Sequence, residues 1–149
     1  MNGRSIDRPM EILLVEDSLV DARFTMVSLK QGEIRHRLTL VCDGEEAIAF
    51  LRRKGVFARA PRPDLVLLDL LLPKMNGLEV LAEIREDESL CDVPVVVLTA
   101  AADEEFRLQS EFLGVEGYIA KPVDLHKFLQ IVRDLKKHWH SDLVLPALE

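Results

Sequence analysis

Polar side chains follow four short apolar runs in this sequence, and their types suit metal and phosphate chemistry. EILLV is followed by Glu16 and Asp17, DLVLL by Asp69, VPVVVL by Thr99 and GYIA by Lys121. Crowded carboxylates repel one another, so three of them together are costly unless a cation neutralises them. Oxygen ligands of this kind suit Mg²⁺. Lys121 would place its positive charge next to a phosphoryl group, and the Thr99 hydroxyl would donate a hydrogen bond to one of the phosphoryl oxygens.

These residues meet only if the apolar runs are neighbouring strands of one sheet, and the rest of the chain predicts such a sheet. Apolar runs alternate with amphipathic stretches, which is typical of βα units around a parallel sheet. Strands are predicted over Glu11–Val15, Arg37–Val41, Asp64–Leu68, Val93–Leu98 and Gly117–Ala120. Helices are predicted over about Ser18–Lys30, Gly44–Lys54 and Gly77–Glu86, after Asp103, and from near Asp124. Right-handed crossovers then give an α/β, doubly wound three-layer sandwich with its active site at the carboxyl ends of the strands.

Each predicted helix should turn an apolar face towards the sheet. In the first helix, the residues expected to face the core are Val20, Phe24, Val27 and Leu29. In the fifth, the expected inner residues are Phe128, Ile131, Val132 and Leu135.

Composition limits the class of protein. The chain has 149 residues, of which 48% are hydrophobic and 30% charged, as expected for one globular domain. The net charge of -7 argues against nucleic acid as a partner. No apolar run suggests a membrane span, and the first residues lack a signal peptide's apolar core. Cys42 and Cys91 have no metal-ligand spacing, so we expect a reduced, cytoplasmic protein.

Four motifs carry a family resemblance. ILLVEDS (12–18), LVLLDLLLPKMNG (65–77), VVVLTA (95–100) and GYIAKP (117–122) occur in an order and spacing that resemble the receiver domain of two-component response regulators. The resemblance places a receiver domain over residues 10–138. It implies a flavodoxin-like (βα)₅ fold with a parallel sheet of order 2-1-3-4-5. It also implies a phosphoacceptor signalling protein rather than an enzyme, which takes a phosphoryl group from a histidine kinase.

Roles follow from the resemblance, position by position. Asp69 would be the phosphoacceptor, and Thr99 and Lys121 would contact the phosphoryl oxygens. Mg²⁺ would be bound by Glu16, Asp17, Asp69 and the backbone carbonyl of Leu71.

The resemblance also implies a switch and two backbone features. Thr99 and Tyr118 would form the conformational switch, with Tyr118 moving from exposed to buried. Gly77 would relieve backbone strain in the turn after the acceptor loop. The Lys121–Pro122 peptide would be cis, as cis bonds mainly precede proline.

A narrower resemblance concerns the partners. The stretch FLRRKGVFARAPRPDLVLLDLLLP and the ending with Trp139 and LVLP are similar to response regulators paired with cyanobacterial phytochrome-type histidine kinases. This similarity implies such a kinase as partner. It also implies a homodimer through the fourth helix, the fifth strand, the fifth helix and the C-terminal extension 139–149. Whether that tail instead packs on the fifth helix of its own chain stays open.

Two other functions share parts of this pattern. A Mg²⁺-dependent aspartate-nucleophile phosphatase or phosphotransferase acting on small molecules would typically carry a second Asp two residues after the nucleophile, where this chain has Leu71. A flavodoxin-like electron carrier would need a Ser/Thr/Gly-rich phosphate loop, where this chain has EDSLVD.

Leu71 and Ala101 are both apolar and cannot hydrogen-bond an attacking water. We therefore expect a long-lived phosphorylated state.

Overall fold

Five parallel strands form one sheet in the order β2-β1-β3-β4-β5. The computed structural model describes residues 8–100, 104–121 and 126–135. The strands are β1 (Met10–Val15), β2 (His36–Val41), β3 (Leu65–Leu68), β4 (Val95–Thr99) and β5 (Gly117–Ala120). The helices are α1 (Leu19–Gln31), α2 (Gly44–Leu51), α3 (Gly77–Glu86) and α4 (Glu104–Phe112), with a fifth helical segment, α5, over 126–135. The doubly wound, flavodoxin-like prediction is confirmed.

Helices cover both faces of the sheet. Side chains of α2, α3 and α4 pack against one face, and side chains of α1 and α5 pack against the other. Every residue of β3 and β4 is buried, which explains why these strands are almost continuous runs of Val and Leu. Within the described ranges, no helix has the length and apolar character needed to cross a membrane.

The predicted inner face of α1 is correct at Leu29, which is buried, and wrong at the other three positions. Val20, Phe24 and Val27 lie on the outside, with exposed fractions of 79%, 50% and 45%. The inner face instead includes Thr25 and Ser28, whose hydroxyls donate to backbone carbonyls four residues earlier at 3.2 and 2.8 Å. Because these hydroxyls are satisfied within the helix, they can be buried against the sheet at little cost. The exposed apolar residues of this helix, here called the α1 stripe, are Leu19, Val20, Phe24 and Val27.

Most strands begin one or two residues away from the predicted start, and the end of α2 shifts further. Helix α2 ends at Leu51, three residues before the predicted end. Arg53 has a φ of 56°, which is not helical, and a short 3₁₀ turn follows over Gly55–Phe57. The ring of Phe57 packs edge-on against Phe50, with 5.4 Å between centroids, and this contact orders the first part of the long 55–63 connection. Thr99 is the last residue of β4 and does not merely follow it.

Arg85, near the end of α3, ties three segments together. Its guanidinium donates to the carbonyls of Cys91 and Val93 in the α3–β4 connection at 3.1 and 2.8 Å. It also donates to the carbonyls of Leu113 and Gly114, just after α4, at 2.7 and 2.9 Å. One side chain therefore satisfies four backbone acceptors and fixes the carboxyl end of α4 to α3.

Candidate functional site

Backbone hydrogen bonds at the carboxyl edge of the sheet fix the positions of the chemical side chains. The Glu16 N–H donates to the Val41 carbonyl and the Asp69 N–H to the Val15 carbonyl, each at 3.0 Å. The Lys121 N–H donates to the Thr99 carbonyl at 2.7 Å. These bonds continue the parallel ladders one residue beyond the strands. The polar residues are therefore held by the sheet itself.

Three carboxylates converge at this edge. Glu16, Asp17 and Asp69 each offer one oxygen, and these oxygens lie within 4.8 Å of one another. Glu16 and Asp69 are buried, whereas Asp17 is exposed. The donor set consists of hard oxygen atoms and is open to water on one side, which fits Mg²⁺ because this ion keeps several waters and binds phosphate oxygens. The residues present therefore fit the metal that the sequence predicted.

Lys121 spans the same cluster. Its ammonium lies 2.7 Å from Glu16 Oε1 and 3.2 Å from Asp69 Oδ2. A third carboxylate, Asp21 Oδ2 on the first turn of α1, also lies 2.7 Å away. The second oxygen of Asp69 accepts a hydrogen bond from the Leu71 N–H at 3.0 Å. Both Asp69 oxygens are thus engaged by donors that would also stabilise negative charge on a transferred group.

The two pKa shifts at the site reflect burial and mutual charge. Burial raises the pKa of Glu16 to about 7, and repulsion from Asp69 acts in the same direction, while the hydrogen bond from Lys121 opposes it. Burial alone would lower the pKa of Lys121. Its hydrogen bonds to Asp21 and Glu16 outweigh burial and raise that pKa above its ordinary value. Lys121 is therefore a cation at any physiological pH, and the Glu16 carboxyl resists ionisation.

Two further predicted residues lie on the neighbouring strands β4 and β5. Thr99 is fully buried at the end of β4, opposite Ala120 in the ladder with β5. Tyr118 is partly buried and packs against the core layer formed with α2, α3 and α4. Their role as a switch stays a prediction, as does that of the Leu71 carbonyl as a metal ligand. Pro122 and Ala101 lie outside the described residues, as does the extension 139–149.

Gly77 is required for a different reason from the one expected. It is the first residue of α3 and is not among the described residues with positive φ, so it relieves no left-handed strain. A Cβ at this position would lie 2.4 Å from the Leu70 Cα and 2.5 Å from the Asp69 carbonyl oxygen. The Gly77 N–H also donates to the Leu70 carbonyl at 2.9 Å. Glycine lets α3 begin directly against the backbone of the acceptor residue.

Sequence reasoning missed Asp21. In sequence, Ser18 followed three residues later by an acid indicates only helix capping. The Ser18 hydroxyl does accept from the Asp21 N–H at 3.2 Å, but the Asp21 carboxylate turns to Lys121 instead. The spacing of four residues from Asp17 across the start of a helix was the one signal that could have placed Asp21 near the site.

This fold, with an acidic triad and a lysine at its carboxyl edge, defines a class of signalling domain. The chain belongs to the response regulator receiver domain family, whose sequence pattern matches residues 12–133. It is 42% identical over 139 residues to the response regulator Rcp1 of Synechocystis sp., covering 93% of this chain and 95% of that protein.

Two solved structures are similar to it along most of their length. The phosphorylated cyanobacterial phytochrome response regulator RcpA is 43% identical, with a TM-score of 0.76 over 90% of this chain and 96% of that one. The Mn²⁺-bound form of Rcp1 is also 43% identical, with a TM-score of 0.76 over 88% of this chain and 94% of that one. The family resemblance seen in the motifs is confirmed.

Proposed function

We propose that this protein receives a phosphoryl group from the phosphohistidine of a sensor kinase on Asp69, with Mg²⁺ bound by the neighbouring carboxylates. The observation that carries the proposal is the position of the Lys121 ammonium, which contacts Asp69 and Glu16 at the edge where the acidic triad converges. The Mn²⁺-bound and phosphorylated forms of the similar proteins support both parts of it.

The chemistry is an in-line displacement. An Asp69 carboxylate oxygen attacks the phosphorus, the phosphorus–nitrogen bond to the donor imidazole breaks, and the electron pair leaves with that nitrogen. Negative charge spreads over the phosphoryl oxygens in the transition state. Lys121 and the Leu71 N–H are positioned next to Asp69 to stabilise this charge, and Thr99 would donate its hydroxyl to the product. Mg²⁺, held by Glu16, Asp17, Asp69 and the Leu71 carbonyl, would neutralise the remaining charge.

The α1 stripe is the surface best placed to contact the donor. It begins at Leu19, two residues after Asp17, so a partner that covers it would reach the acidic edge of the sheet. Contiguous apolar side chains on a helix surface usually mark a protein contact. The similarity to RcpA favours a phytochrome-type kinase as this partner.

Output would pass through protein–protein contacts, including a homodimer that uses α4, β5, α5 and the extension 139–149. On α4, Leu108 and Phe112 are exposed, at 53% and 91%. They line a groove of about 510 Å³ together with Leu78 and Ala82 of α3. The apolar surface that α4 offers among the described residues therefore extends towards α3, and we include this groove in the proposed contact region.

Mass measurement after incubation with acetyl phosphate and Mg²⁺ tests the proposal. The wild-type protein should gain one phosphoryl group, and Asp69→Asn should gain none. Asp92→Asn removes an exposed carboxylate on the α3–β4 connection and should be phosphorylated like the wild type. Phosphorylation of Asp69→Asn to the wild-type extent, or no phosphorylation of the wild type, would reject the assignment. Release of free phosphate from small phosphate esters would instead support the small-molecule phosphatase alternative.

A further inference from the structure

Among the described residues, Asp21 is the one carboxylate on Lys121 that is not part of the acidic triad. The ammonium lies 2.7 Å from Asp21, as close as it lies to Glu16 and closer than the 3.2 Å to Asp69. Asp21 is 43% exposed, whereas the other two partners are buried. The lysine therefore bridges from the centre of the site to its rim.

A cation bound at the triad would change the balance of these contacts. The oxygens of Glu16 and Asp69 would then share their charge with the metal, and the metal would repel the ammonium. An ammonium has three donors that need acceptors when it is partly buried. Of its three carboxylate partners in the structure, Asp21 alone would remain fully available to it.

Asp21 is also well fixed. Its N–H donates to the Ser18 hydroxyl at 3.2 Å, and its carbonyl accepts from the Thr25 hydroxyl at 3.2 Å. These bonds hold the first turn of α1, so the carboxylate reaches Lys121 from a rigid position. The first turn favours an acidic residue through the helix dipole alone. A role in helix stability is therefore the competing explanation.

We propose that Asp21 is a positioning residue that retains Lys121 beside Asp69 while the metal occupies Glu16 and Asp69. The inference deepens the proposed function and rests on it. Without Asp21, the ammonium would depend on the same two carboxylates that the metal needs. Metal and lysine would then compete at a site where both have to act on one phosphoryl group.

Calorimetric titration with Mg²⁺ tests this role. In Asp21→Asn, which keeps the shape and the backbone hydrogen bonds, the Mg²⁺ dissociation constant should rise about three- to tenfold. Glu45→Gln is the matched control, because Glu45 is an exposed acid in the first turn of α2 at the same edge of the sheet. It should change the constant by less than about twofold. Asp21→Glu, which restores the charge, should recover most of the affinity.

A double-mutant cycle separates action through the lysine from a general effect of charge. In a Lys121→Met background, Asp21→Asn should change the Mg²⁺ dissociation constant by less than about twofold. In the wild-type background, ¹⁵N-detected lysine NMR should show a protected Lys121 ammonium in the Mg²⁺-bound protein. Asp21→Asn should lose that signal, whereas Glu45→Gln should keep it.

The outcomes distinguish the two proposals. A wild-type protein that does not bind Mg²⁺ would reject the proposed function and this inference together. If the wild type binds Mg²⁺ and is phosphorylated, but Asp21→Asn binds Mg²⁺ within twofold of it, only the role of Asp21 is rejected. The same loss of affinity in both lysine backgrounds would also reject it, since Asp21 would then act by charge alone.

Discussion

Glu16 is the residue at which a proton would compete with the proposed metal ion for the same oxygens. Burial raises its pKa to about 7, and a protonated carboxyl is a poor ligand for Mg²⁺. We therefore expect Mg²⁺ affinity to rise as the pH increases from about 6 to 8. In Glu16→Gln the affinity should be lower and nearly independent of pH over this range. Titrations at several pH values measure both, and an equally steep pH dependence in Glu16→Gln would contradict the assignment.

The same shift predicts how the stability of the metal-free protein depends on pH. The pKa of Glu16 rises from an ordinary 4.5 to about 7 on folding, so between these values the folded chain holds a proton that the unfolded chain has released. This contribution to stability is present at low pH and is lost as the pH rises towards 7. Urea unfolding in the presence of a chelator should show that the free energy of unfolding of Glu16→Gln lacks this decrease with pH. A wild-type contribution that grows with pH in this range would contradict the sign.

Leu71 is expected to influence how long the proposed phosphorylated state lasts. Its side chain is half exposed beside the acceptor and has no group that can orient a water. We expect the acyl phosphate to persist for minutes to hours, and Leu71→Gln, which can hydrogen-bond a water, to hydrolyse faster. Decay followed by mass measures both rates. A wild-type lifetime of seconds would refute the expectation.

At the scale of secondary-structure elements, α3 depends on the absence of a side chain at its first residue. In Gly77→Ala, the new methyl group would overlap the backbone of Asp69 and Leu70, which cannot move without displacing the acceptor. We expect a loss of about 1–3 kcal/mol in the free energy of unfolding, together with slower phosphorylation by acetyl phosphate. Urea unfolding measures the first effect. Unchanged stability would show that the contact between α3 and the backbone of Asp69 and Leu70 can relax.

The Arg85 contacts make a second prediction for this scale. Arg85→Leu removes the donors to four carbonyls and should destabilise the fold by roughly 2–4 kcal/mol in urea unfolding. Arg85→Lys keeps the charge but cannot span all four acceptors, so it should recover only part of this loss. Full recovery with lysine would mean that charge, and not the planar geometry of the guanidinium, provides the stability.

Sequence patterns predicted the elements well where burial alone determines them. The runs that form β3 and β4 are buried on both sides, so their Val and Leu content indicated that they lie in the middle of the sheet. Their ends then placed Asp69 and Thr99 at one edge of it. The helix α1 was predicted, but most of its inner face was not, because that face uses Thr25 and Ser28, whose hydroxyls are satisfied by local backbone carbonyls. The contact of Asp21 with Lys121 was missed because Asp21 lies on the first turn of α1, whereas the other site residues were found at the ends of strands.

At the scale of the whole molecule, two exposed apolar surfaces lie on different faces. The α1 stripe lies on the layer with α5, and the groove around Phe112 lies on the layer with α2 and α3. Val20→Glu should therefore slow phosphotransfer from the kinase by about tenfold or more, while leaving acetyl phosphate labelling and the oligomeric state unchanged.

Phe112→Glu should affect the oligomeric state and leave phosphotransfer unaffected. It should shift a dimer towards monomer in sedimentation, with phosphotransfer from the kinase unchanged. If both variants impair phosphotransfer equally, the two surfaces do not serve separate partners.

The contacts of Arg85 also constrain how the molecule can move. They fasten the carboxyl end of α4 to α3, while its amino end follows Thr99 after four residues. Any rearrangement that starts at Thr99 would swing α4 about a pivot at Arg85. The helix has nine residues and is about 13 Å long, so a tilt of about 10° would displace its amino end by about 2 Å and its carboxyl end hardly at all. A signal carried in this way would be largest next to the acceptor and would fade along the helix.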